Sequence, residues 1–214
     1  MVTNRQLRPV GLRGLYRGYI RRMRYRVVLP FLLLTAIAAT AHAHPHMWID
    51  GEIDLRLDRD GLAGVHVTWV FDQFNSAEMI FMFDENLDGT LSPAEVGAIR
   101  DEAFAHLVQL DYFLIAFSGQ ERLEIPPADS FNARIDRGSL IYEFTVPLRV
   151  PWPRLDDVVL AFFDVSYFID FLSEAVQGRY THAGRLIDVQ SDTLRLASQG
   201  WGTIQVPAVR TALQ

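Results

Sequence analysis

The chain contains no cysteine and no lysine, and all 20 of its basic residues are arginine. Without thiols there are no disulfides and no thiolate metal sites, so any metal must be held by oxygen or imidazole. The most apolar run, Val27–Ala39, is 13 residues long, short of the roughly 20 that a membrane-spanning helix needs. No G-x-S-x-G elbow, phosphate loop or nucleophile–base pair is present, so nothing in the residues supports catalysis and the expectation is a protein that is not an enzyme. Internal repeats and low-complexity linkers are missing too.

Acidic residues are absent from the first 49 positions, which hold eight arginines, and Asp50 is the first acid. An Arg-rich start, the short apolar run and small residues at Ala39-Thr40-Ala41 and Ala41-His42-Ala43 together form a secretory signal peptide over residues 1–43. The alternative is an N-terminal anchor, which the length of the run disfavours. Met23 by itself begins a leader of ordinary length, leaving residues 1–22 open as an upstream extension. Arg21-Arg22 resembles a twin-arginine signal, but its flanks fit that pattern poorly. The expectation is a periplasmic protein with no stable membrane anchor after cleavage.

The remainder, residues 44–214, has 12 arginines against 26 acids, a formal charge of −14. Such a surface argues against nucleic acid and favours cations. The same stretch is expected to form one mainly β (α+β) domain, an antiparallel β-sandwich-like fold with a helix–loop–helix insertion at 74–110. Ile53, Leu55 and Leu57 alternate with polar residues, Asp58-Arg59-Asp60-Gly61 reads as a turn, and Val65, Val67, Trp69 and Phe71 resume the alternation: a β-hairpin. Val96, Ile99, Ala103, Leu107 and Leu110 recur at helical spacing, which predicts one helix over Pro93–Leu110. Strand patterns follow at 112–117, 140–148 and 158–163, with weaker ones at 186–190 and 193–197.

Residues 84–95, Asp-Glu-Asn-Leu-Asp-Gly-Thr-Leu-Ser-Pro-Ala-Glu, match an EF-hand calcium loop. Asp84, Asn86 and Asp88 stand at positions one, three and five, and Gly89 stands where the chain must turn sharply. Thr90 offers its carbonyl, Ser92 acts through water, and Glu95 closes the shell with two oxygens. Residues 74–83 suit an entering helix, and Pro93 suits the first turn of an exiting one. The competing reading is a capping box between Ser92 and Glu95 after a polar turn. With no second such loop, the expected role of Ca2+ is a structural clip.

His42, His44 and His46 are half of the six histidines. Cleavage after Ala43 exposes His44, whose amine and imidazole, with His46 nearby, suit Zn2+, Ni2+, Co2+ or Cu2+. Pro45 has no N–H, which excludes a square-planar site built on the first two amides. Asp50, Asp72, Asp164, Asp170, His66 and His182 are candidates to complete the shell; an ordinary frayed terminus is the alternative. In the apolar stretch 160–171, Asp164, Ser166, Phe168 and Asp170 share a face if the chain is extended. Carboxylates in such a run must be paired, metal-bound or at a strand end.

His44-Pro45-His46, Trp69-Val70-Phe71-Asp72, the 84–95 loop and Phe163-Asp164-Val165-Ser166-Tyr167-Phe168 together resemble a family of periplasmic proteins known as a domain of unknown function. Its members carry the label of periplasmic components of ABC-type transport systems. They accompany nickel/cobalt-type permeases and zinc-acquisition genes. The resemblance implies a periplasmic metal-binding accessory to zinc or nickel/cobalt transport, partnered by an inner-membrane permease. It implies His44 and His46 as transition-metal ligands and Asp84, Asn86, Asp88, Thr90 and Glu95 as calcium ligands. Asp164 and Tyr167 fall in its signature, and His182 is a weaker candidate. A calcium-stabilised interaction module and a periplasmic copper-binding protein are the alternatives.

Overall fold

The computed structural model describes residues 45–172, 178–182 and 184–213. Residues 1–43, expected from the sequence to be a leader, and His44 lie outside the described residues. The fold is mainly β, and no helix among the described residues is long and apolar enough to cross a membrane.

Strand β1 (Met47–Asp58) and β2 (Gly61–Phe71) form the expected antiparallel hairpin, with a register shift at Arg56/Leu57. Its turn is closed by Asp58, whose Oδ1 accepts from the N–H of Asp60 and Gly61 at 2.8 and 3.1 Å. Gly61 adopts φ +144°, and a Cβ there would lie 2.1 Å from the Val150 carbonyl oxygen, so no other residue fits. Alternation puts Ile49, Ile53, Leu55, Val65, Val67, Trp69 and Phe71 inside.

Helices α1 (Gln73–Phe83) and α2 (Pro93–Glu102) flank the acidic loop. After α2 the chain tightens into a 3₁₀ stretch, Phe104–Phe113. The single helix expected over Pro93–Leu110 therefore ends at Glu102, and Leu110 is exposed. Aromatic packing overrides the apolar period: Phe104 leaves the helical track to stack on Phe131 at 4.1 Å and on Tyr112 at 5.4 Å. Asp111, Tyr112 and Phe113, all at φ near +52°, then swing the chain into the next strand.

The remaining strands are β3 (Leu114–Ser118), β4 (Glu121–Arg122), β5 (Ser130–Asp136), β6 (Ser139–Val146), β7 (Val150–Pro151), β8 (Val158–Phe162), β9 (Ile169–Phe171), β10 (Gly178–His182), β11 (Arg185–Ser198) and β12 (Gly202–Leu213). The two weak patterns at 186–190 and 193–197 are one continuous strand, β11, held along its length by β12. One sheet runs β5-β6-β2-β1-β9, with β7 on β2, and the other runs β10-β11-β12-β8-β3-β4. All pairings are antiparallel except β1 with β9.

The two sheets share one apolar core. At its centre Trp69 of β2 meets Phe144 of β6 and Phe162 of β8, with ring centroids 5.1 and 5.8 Å apart. The Trp69 indole N–H and the Tyr142 hydroxyl, cross-strand neighbours, are buried with no hydrogen-bond partner among the described residues.

Candidate functional site

Two places gather the side chains singled out in the sequence. The first is the loop between α1 and α2. Asp72 starts α1 as its N-cap, accepting from the N–H of Phe74 and Asn75. The helix ends as the Asp84 N–H bonds the Ile80 carbonyl.

Asp84 is 2 % exposed. Its Oδ1 accepts from the Asp88 N–H at 3.2 Å and its Oδ2 from the Gly89 N–H at 2.9 Å. Gly89, at φ +79°, makes the sharp bend that brings its N–H inward. Asn86 Oδ1 also accepts from the Asp88 N–H, while Asp88 Oδ1 accepts from the Thr90 N–H and hydroxyl at 2.8 and 2.7 Å. Glu95 stitches both ends of the loop: Oε1 takes the Glu85 N–H at 2.9 Å and Oε2 the Ser92 N–H at 2.7 Å. Ser92 Oγ returns the bond from the Glu95 N–H, completing a capping box.

Hydrogen bonds from the Thr90 hydroxyl and N–H hold the Asp88 carboxyl below its ordinary value. The Ser92 N–H does the same for Glu95. Asp84, Asn86, Asp88, the Thr90 carbonyl and Glu95 form an all-oxygen donor set of the hard type. Each carboxylate oxygen in use accepts N–H or hydroxyl groups of the loop itself. Among the described residues no three His, Asp or Glu side chains are gathered as a ready metal cage.

The second place is the open edge of the first sheet, where β1 begins beside β9. The N–H groups of His46 and Met47 donate to the Phe168 carbonyl at 2.9 and 3.2 Å. The His46 ring stacks on Phe168 with centroids 5.0 Å apart. Asn75 Nδ2 reaches the His46 carbonyl at 3.3 Å and Asp72 Oδ2 at 2.7 Å, and Asp72 Oδ2 also accepts from the Trp48 N–H. Burial pushes the Asp72 carboxyl up, but the N–H groups of Trp48, Asn75 and Phe74 and the Asn75 amide outweigh it and hold it below the usual range.

Asp164, 7 % exposed, builds the turn that presents the Phe168 carbonyl. Its Oδ1 accepts from the Ser166 N–H and hydroxyl, and its Oδ2 from that hydroxyl and the N–H of Phe168 and Ile169, all at 2.8–3.0 Å. Stretch 160–171 is thus not extended throughout. β8 stops at Phe162, Tyr167 turns at φ +56°, and Asp164 and Asp170 do not share a strand face. Asp170 lies opposite Trp48 in register. Burial raises its carboxyl, opposed by a bond from the Tyr167 hydroxyl.

His46, Phe71-Asp72 and Phe163–Phe168, far apart in the chain, thus meet at one edge. Among candidates to complete a His46 site, Asp72 is nearby but its oxygens accept four hydrogen bonds. Asp170 takes a bond from the Tyr167 hydroxyl, and Asp50 is exposed on β1. His66 sits across from Asp54, eight residues along β1 from His46, roughly 26 Å in an extended strand, and it bonds Thr145 Oγ1 at 3.1 Å. His66 and His46 therefore do not share a site. The backbone of His182 closes β10 opposite Arg185, and its side chain lies outside the described residues, as does His44. His106 is exposed on the 3₁₀ stretch. Asn75 was missed in the sequence; its signal is Asp72 three residues earlier, the spacing of an N-cap and its third helical residue.

Comparison with known proteins gives relatives whose names state no activity. The chain is 28% identical over 94 residues to an uncharacterized 15.5 kDa protein in the trpE 3′ region of Spirochaeta aurantia, covering 44% of this chain and 67% of that one. It is 23% identical over 130 residues to an uncharacterized protein of Haemophilus influenzae, covering 59% of this chain and 61% of the relative. No solved structure matches. A family model described as "Protein of unknown function (DUF1007)" matches residues 29–184, which is most of the chain, and the chain belongs to that family.

Proposed function

We propose that this protein is a periplasmic accessory to transition-metal transport, clipped by calcium at residues 84–95. The observation that carries the calcium assignment is Asp84, a buried carboxylate at the end of α1 whose two oxygens are drawn inward by the bend at Gly89. A ring of hard oxygens from one short loop suits Ca2+, which takes six to eight such ligands. Ca2+ bound there would join the end of α1 to the start of α2 through Asp84 and Glu95. A site of extracellular type, with a dissociation constant on the order of 10⁻⁴–10⁻³ M, suffices outside the cytoplasm.

The transition-metal role rests on the His44-Pro45-His46 start, whose second histidine is docked against Phe168 by the Asp72 and Asp164 networks. Zn2+, Ni2+ or Co2+ would be taken at that edge and passed to an inner-membrane permease. Asp72, the carboxylate beside His46, has both oxygens taken by four hydrogen bonds, which favours a second reading, a calcium-stabilised interaction module with no transition-metal role.

Thermal unfolding with added Ca2+ tests the first part. At calcium one hundred times the dissociation constant the folded state gains about 2.7 kcal/mol, and Asp84→Ala abolishes the gain. An Asp84→Ala protein that keeps the full calcium shift would rule out the loop. Titration with Zn2+, Ni2+, Co2+ and Cu2+ tests the second part. Equal affinity in the secreted form and in a form lacking His44–His46 leaves only the calcium module standing, and a response to Cu2+ alone moves the assignment to a copper protein.

A further inference from the structure

Helix α1 packs Met79, Ile80 and Phe83 half-buried against the core. Its most buried side chains, Asn75 and Ser76, are polar. Ser76 Oγ donates to the Phe71 carbonyl at 3.0 Å and accepts from the Leu140 N–H at 2.9 Å, and Asn75 is bound to Asp72 and the His46 carbonyl. These bonds fix the rotation of the helix. That rotation leaves Phe74 and Phe81 about three-quarters exposed and Met82 more than half exposed. Positions 74, 78, 81 and 82 lie on one helical face, so the three apolar side chains form a stripe with Glu78 within it, and exposed Glu85 follows the end of the helix. Leu87, also exposed, extends it into the loop. Scattered surface apolar groups are ordinary, whereas aligned aromatic and methionine side chains are what binding surfaces use.

The charge around the stripe selects its occupant. The exposed acids beside the stripe are Glu78 on α1 and Glu85 just after it, and residues 60–99 contain no arginine or lysine. A second copy would bring two such acidic sets together, and an anionic lipid surface would be repelled.

We infer that the outward face of α1 is a docking surface for a basic amphipathic helix of another protein. Its apolar residues would pack on Phe74, Phe81 and Met82 and its Lys or Arg side chains would meet Glu78 and Glu85. The stripe is set by the Asn75 and Ser76 bonds, which involve no imidazole and none of residues 84–95.

The test is binding of a labelled 18-residue Leu/Lys peptide of helical spacing to the secreted chain, followed by fluorescence anisotropy in buffered salt with and without calcium chelator. The paired change Phe81→Ser and Met82→Ser, which alters no charge and removes no buried group, is expected to weaken binding at least tenfold. Phe74→Ser is the second variant, and circular dichroism confirms that each is folded. Glu78→Gln with Glu85→Gln is expected to weaken binding several-fold and flatten its salt dependence.

Unchanged affinity in both apolar variants overturns the proposal, since general charge attraction then explains the binding. Equal binding of a Leu/Glu peptide overturns it as well. So does a dimer, or adsorption to phosphatidylglycerol vesicles, that the Phe81→Ser and Met82→Ser change abolishes, because the stripe then serves a second copy or a membrane.

Discussion

The acidic loop and the histidine edge are both built from carboxylates that accept backbone N–H groups, yet they are assembled at opposite scales. In the loop every partner of Asp84, Asp88 and Glu95 lies within ten residues along the chain. At the edge Asp72 reaches back 24 residues to Trp48, and the carbonyl that anchors His46 comes from Phe168. A local network forms wherever its segment forms. A long-range one exists only after β1, β2 and the turn after β8 have found one another, so its failure is felt at distant points.

Asp164→Ala is expected to show this contrast most strongly. It strands the N–H groups of Ser166, Phe168 and Ile169 and costs roughly 3 kcal/mol, read as a lower denaturation midpoint. Amide exchange of His46 and Met47, some 120 residues away, should accelerate with it. Continued protection of those two amides would show that the edge does not depend on the turn.

Asp72→Ala is next, at about 1–2 kcal/mol, because it removes the helix cap and the acceptor of the Trp48 N–H together. Ser92→Ala should cost about 1 kcal/mol or less and change exchange only around the start of α2. A Ser92→Ala effect that spread to His46 would erase the distinction between the two regions.

The smallest effect is in pH. Asp72, Asp88 and Glu95 are held below their ordinary values. Each therefore contributes stability above the ordinary carboxylate range near pH 4, and that contribution is lost as the pH falls through the lower folded value. Asp170 has the opposite sign: its raised carboxyl favours the fold at low pH and loses that contribution as the pH rises through its folded value. Asp170→Asn should thus leave the protein at least as stable at pH 7, and thermal scans from pH 3 to 7 check the pattern. A marked loss at pH 7 would mean that the Asp170 charge serves the edge.

The β1–β2 hairpin was legible because alternation states both the strand and its inner face, and Asp58 and Gly61 mark its turn. The acidic loop was legible because the spacing of 84, 86, 88, 89, 92 and 95 is itself the structure of a tight bend. The Ser92–Glu95 capping box, the competing reading of that segment, forms there too. Strand β5 carried the same alternation as the hairpin, with Phe131, Ala133 and Ile135 set against Asn132, Arg134 and Asp136, and was overlooked. β9, three residues long, is defined only by its neighbour β1.

What the sequence determined by itself is therefore everything with a short period or a short reach: the strand faces, the turn at 58–61, the entry and exit of the acidic loop, and the acidity of residues 44–214. Only the tertiary structure decided that α2 stops at Glu102, that Asp164 serves a turn, and that His46, Asp72 and Phe168 meet. It also decided which face of α1 looks outward. Those outcomes depend on which distant groups compete for the same aromatic ring or the same N–H, and neither periodicity nor spacing along a chain encodes that competition.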